Sequence, residues 1–119
     1  MNADIRELLL SGGIDIDAML DRCMGNEALL ERLLKKFPVD RSYSYLVEAL
    51  QNGDENAAVD ASHTLKGVAG NLSIKDLYTL VDSQVQALRN HNMDAALSIM
   101  PDITLKYNNA VNAIQRAFN

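Results

Sequence analysis

The chain has 119 residues, with 48% hydrophobic and 23% charged side chains and a net charge of −5. That length suits one domain with its own core, and the composition excludes a disordered chain. The acidity argues against a nucleic-acid binder, which shows a basic patch. The single cysteine, Cys23, excludes an intrachain disulfide and a cysteine metal site. No apolar run reaches the roughly 18 residues that a membrane span needs. The N-terminus shows no signal-peptide core. The expectation is a cytoplasmic protein, or a cytoplasmic piece of a larger one, with no membrane contact; Met1 and the short N-terminus lean slightly to a free-standing one.

In chain order, residues 3–10 form a short helix stopped by Ser11-Gly12-Gly13. Asp15 caps a second, with Ile16, Met19 and Leu20 as its apolar face. Gly25-Asn26 opens a third segment, in which Leu29, Leu30, Leu33, Leu34 and Phe37 recur at helical spacing. Pro38 either kinks one long helix or divides two. Leu46, Val47 and Leu50 continue to Asn52-Gly53, and Asp54 caps a helix running to about Leu72. Ser73 to Asp76 has capping-box form and opens a helix ending near Asn90. Asn92 caps the last helix, whose face reads Leu97, Met100, Ile103, Tyr107, Ala110, Val111, Ile114 and Phe118. Pro101 either kinks that helix or falls in its first turn. Met19, Met24, Met93 and Met100 are read as packing residues. The predicted fold is all-α: an antiparallel four-helix bundle with one or two short extra N-terminal helices. The bundle core spans about 26–118 of a single domain, 1–119. It closes on itself, so a monomer is expected.

Of the six glycines, Gly12, Gly13, Gly25 and Gly53 read as punctuation. Gly67 and Gly70 lie inside a helix. On a wheel at about 100° per residue, Ala57, Ala58, Ala61, Leu65, Val68, Ala69 and Leu72 share one arc, the core face. The opposite side carries Ser62, Lys66, Gly70, His63 and Gly67. Each exposed mid-helix glycine costs about 1 kcal/mol against alanine. Glycines on this side take side chains away from the space around His63, so a large group can come close to the imidazole. Lys66, one turn on, is a surface neighbour of His63. Its cation would favour a negative group carried on the ring, such as a phosphoryl group. A neutral imidazole is a competent nucleophile near neutral pH.

A lone surface histidine on a helix is ordinarily a solvated side chain, and a helix glycine is ordinarily a packing contact. Neither accounts for His63, Lys66 and two glycines on one face. The run His63-Thr64-Leu65-Lys66-Gly67-Val68-Ala69-Gly70-Asn71-Leu72 closely resembles the signature of histidine-containing phosphotransfer (HPt) domains. The Gly13-Ile14-Asp15 opening, the Phe37 helix and the Asn52-Gly53-Asp54 turn resemble bacterial members. The likeness extends over about residues 12–118.

The resemblance implies a phosphorelay carrier rather than an autonomous enzyme. His63 would accept a phosphoryl group, on Nε2, from the aspartate of a receiver domain and pass it to another receiver. Lys66 would stabilise its charge, and Gly67, Gly70 and Ser62 would face the docked receiver. No cofactor is expected in this chain, since the receiver brings the aspartate and Mg²⁺. The implied partners are response-regulator receivers and a sensor or hybrid histidine kinase. Val85 departs from the pattern, because relatives carry Glu or Gln there near the histidine. Gln84, Gln86 and Arg89 are candidates to support His63 instead, although for Gln84 a local partner or solvent, and for Arg89 solvent, is the plainer reading. His91, at a helix end beside Asn92, has no evident partner in the sequence. The competing reading is an interaction module that docks receivers without transferring phosphate, and Val85 is the feature in its favour.

Overall fold

The computed structural model describes residues 1–119. Seven α-helices run in chain order: α1 Ala3–Ser11, α2 Ile16–Arg22, α3 Glu27–Leu34, α4 Ser42–Gln51, α5 Glu55–Asn71, α6 Lys75–Arg89 and α7 Met93–Phe118. Helices α4 to α7 form the bundle. Neighbours pack as α4 on α5, α5 on α6 and α6 on α7, while α1 lies along α7. The short connections force consecutive helices to run antiparallel. Three short helices precede the bundle, one more than expected, because Pro38 divides where a kink was the alternative. It sits in a 3-10 turn, Phe37–Val39, between α3 and α4. No helix is long and apolar enough to cross a membrane.

Side-chain oxygens close the helix starts. Asn2, Asp15, Asn26, Asp54 and Asn92 each accept a hydrogen bond from a first-turn amide. The exceptions are α4, whose N-cap Arg41 makes no side-chain bond, and α6. Ser73 does not cap it: the N-cap is Ile74, with no side-chain bond. Ser73 instead adopts a left-handed conformation, φ +57°, and is buried. The reason is a tertiary tie. The Asp15 amide donates to the Ser73 carbonyl at 2.9 Å, and Ile14 bridges Ile74 in antiparallel fashion. Lys75 Nζ adds an ion pair to Asp15 Oδ2 at 2.7 Å. The start of α2 is thereby fastened to the turn between α5 and α6.

The core is aliphatic, as the scarcity of aromatics requires. Leu30, Leu34, Leu46, Leu65, Leu77 and Leu88 are fully buried along it. Tyr107 of α7 holds the α3–α4 junction: Tyr43 stacks on it at 3.9 Å and Phe37 meets it at 5.3 Å between ring centroids. The Tyr43 hydroxyl and Thr104 Oγ1 share a hydrogen bond of 2.9 Å, bringing α4 against α7.

Three local expectations change, and the alternative left open at Pro101 narrows. Gly12 is a packing residue rather than punctuation: its φ is −83°, and a Cβ there would collide with Ala113 of α7. Pro101 lies well inside α7, beyond the first turn. Ala96, not Leu97, begins the buried face of α7; Leu97 is half-exposed. A small side chain lets α6 approach the Ala96 carbonyl, which takes a hydrogen bond from that helix. Met24 packs on nothing, being 93% exposed in the turn after α2.

Candidate functional site

The α5 wheel predicts its face well, with two exceptions. Ala57 is exposed, at the edge of the arc, while its neighbour Ala58 is fully buried. Ser62 is fully buried and not a docking residue. Its hydroxyl donates to Gln84 Oε1 of α6 at 3.0 Å. Gln84 is fully buried too, and its amide donates to the Ala96 carbonyl at 3.2 Å and contacts Met100 Sδ at 3.4 Å. Gln84 therefore supports Ser62, not His63. A buried polar pair survives only when its groups are satisfied, and this one joins α5, α6 and α7. Apolar periodicity assigned Ser62 outward because serine carries little hydrophobic signal; a polar group across the interface pulls it in.

His63 is exposed in the middle of α5. Because α5 and α6 are antiparallel, positions ascending α5 meet positions descending α6, and three levels form. Gly70 lies against Tyr78, Lys66 against Asp82, and His63 against Arg89. At the first, a Cβ on Gly70 would stand 3.1 Å from Tyr78 Cδ2, so this glycine answers to packing within the protein. At the second, Lys66 Nζ pairs with Asp82 Oδ1 at 3.0 Å and lies 5.9 Å from the Tyr78 ring centroid. At the third, Arg89 Nη2 stands 3.5 Å from His63 Nδ1. Arginine only donates, so the contact suits an unprotonated Nδ1.

Gly67 differs from Gly70. Nothing lies within 4 Å of where its Cβ would be, so this glycine leaves open space one turn from His63. Next to it is a groove of about 750 Å³ lined by Lys66, Gly67, Gly70, Tyr78, Arg22 and Lys75. Three basic side chains thus gather on one face of an acidic protein. Val85 is buried in the core and does not face the imidazole. Gln86 is exposed and makes no side-chain hydrogen bond. Of the three candidates for support of His63, only Arg89 reaches it.

The Hpt domain family model matches residues 17–117, which takes in every element from α2 to nearly the end of α7. The chain belongs to the Hpt domain family. Hpt domains are phosphoryl-carrying modules of phosphorelays, and the all-helical bundle agrees with that membership. No curated protein and no solved structure matches this Hpt domain.

Two other features of the Hpt domain escaped the sequence. His91 has a partner: its Nδ1 pairs with Glu55 Oε1, which ties the α6–α7 turn to the start of α5. It also adopts a left-handed conformation, φ +58°, which ends α6 as a glycine would. No group of three or more His, Cys, Asp or Glu side chains comes together to hold a metal ion.

Proposed function

We propose that this Hpt domain carries a phosphoryl group on His63, taking it from the aspartyl phosphate of one receiver domain and delivering it to the aspartate of another. What supports the reading is an exposed imidazole with Arg89 on its Nδ1 edge, Lys66 one turn away and open space at Gly67.

The chemistry follows from the ring. Attack on phosphorus needs the Nε2 lone pair, so the neutral ring takes its proton on Nδ1 and the Arg89 contact of the unmodified protein gives way at this step. The P–O bond to the partner's aspartate breaks, and its electron pair stays on the carboxylate. The ring now bears phosphorus on Nε2 and a proton on Nδ1. Loss of that proton to water leaves Nδ1 unprotonated, the state that the Arg89 donor suits. Protonation of Nδ1 restores a good leaving group, and the next receiver's aspartate takes the phosphoryl group back to oxygen. Lys66 and Arg89 offset the dianion meanwhile. Mg²⁺ and the reacting carboxylate belong to the receiver, so this chain contributes position and charge. Gly67 and the groove beside it form the docking face. The reading places a monomer in the cytoplasm with a kinase and at least one receiver.

The test is transfer from a receiver domain charged with acetyl phosphate. The wild-type chain should gain phosphate that is labile in acid and stable in base, and His63→Gln should gain none. Label persisting in His63→Gln would overturn the site. A wild type that binds receivers yet takes no label would leave only a docking module.

A further inference from the structure

Lys66 is the group expected to meet a phosphoryl charge on His63, yet its ammonium is engaged elsewhere. It pairs with Asp82 at 3.0 Å, with side chains 23% and 36% exposed, and lies toward the Tyr78 ring. Half-burial makes the pair less screened than a fully exposed one. Lysine has a flexible stem with four carbons, and Gly67 beside it offers no side chain to confine it. The α6 carboxylate is thus what fixes where the ammonium rests.

We propose that Asp82 is a positioning residue: it holds Lys66 on the α6 side while His63 is unmodified and yields it when the phosphoryl group arrives. The inference rests on the phosphoryl-carrier reading of His63. With Lys66 drawn toward α6, the approach to the imidazole through the space at Gly67 stays clear. Once the N–P bond has formed, the phosphoryl group carries about two negative charges against one on Asp82, and the ammonium turns to it. Leaving Asp82 offsets part of that attraction. The offset keeps the phosphorylated state from becoming too stable to discharge, which a carrier requires in both directions of transfer.

The experiment uses the full chain and a receiver domain charged with acetyl phosphate. The ratio of phosphohistidine to phosphoaspartate is measured at equilibrium for wild type, Asp82→Asn, Lys66→Gln and the double variant. Asp82→Asn is nearly isosteric and should shift the ratio toward histidine by about 2- to 5-fold, the range of a partly exposed ion pair. Asp82→Glu should return it toward wild type. In the Lys66→Gln background, Asp82→Asn should change little. The ¹⁵N resonance of the Lys66 ammonium should move on phosphorylation of the wild type and already be displaced in Asp82→Asn. An unchanged ratio in Asp82→Asn, with the wild type labelled, overturns the role of Asp82 alone. An equal shift with and without Lys66 also overturns it, since simple repulsion would then suffice. A wild type that takes no label overturns the carrier reading, and this inference with it.

Discussion

Gly67 permits a sharp test, because stability and function are expected to move in opposite directions there. The residue is exposed in the interior of α5, and its missing Cβ would touch nothing. Alanine should therefore recover the full helix-propensity difference, about 1 kcal/mol. The unfolding entropy of a chain this long is about 0.25 kcal/mol/K at the usual value per residue, so Gly67→Ala should raise Tm by about 4 °C. Gly70→Ala is the internal control. Its Cβ would press on the Tyr78 ring at 3.1 Å, and moving that ring uses up most of the propensity gain. Its Tm should stay close to that of wild type. Circular dichroism melts of the two variants measure the difference. Gly67→Lys should likewise be no less stable than wild type, yet transfer from a charged receiver should slow by at least about tenfold, since the side chain fills the approach to His63. A fall in Tm for Gly67→Ala would refute the claim that its Cβ site is empty. Unchanged transfer in Gly67→Lys would refute clearance as the reason for the glycine.

Two further outcomes follow from polar contacts away from that face. Ser62→Ala strands Gln84 Oε1 in the core and should cost about 1–3 kcal/mol in urea unfolding, whereas Ser62→Ala with Gln84→Leu should recover most of that loss. Strict additivity of the two single changes would show that the pair is not coupled. Asp15 caps α2 and pairs with Lys75; the hydrogen bond from Lys75, then that from the Ala18 amide, holds its carboxyl below the ordinary value of 3.8. A depressed folded-state pKa contributes stability that is present above the unfolded value and disappears as pH falls through the folded one. Wild type should thus be more stable than Asp15→Asn at about pH 6, and the gap should close on acidification below about pH 3.8. A gap that persists or widens in acid would contradict the ionised pair.

Much of this molecule is written in local pattern. The helix starts at Asp15, Asn26, Asp54 and Asn92 are legible because a cap satisfies amides within three residues of itself. Helical spacing and short connections likewise dictate an antiparallel bundle, and His63, Lys66 and Gly67 share a face by helical geometry alone. What tertiary structure decided are contacts between segments distant in sequence. Ser62 turns inward because Gln84 waits across the interface, and Ser73 gives up its cap because its carbonyl is claimed by Asp15. Gly12 and Gly70 prove to be sites of close packing against Ala113 and Tyr78. Arg89 beside His63, and Asp82 beside Lys66, arise from the register of α5 against α6. No periodicity specifies that register, because it is set by which side chains fill the core between two helices. The chemistry assigned to His63 therefore begins in one helix of sequence, with Lys66 beside it, while Arg89 and Asp82 come from the neighbour that only folding brings there.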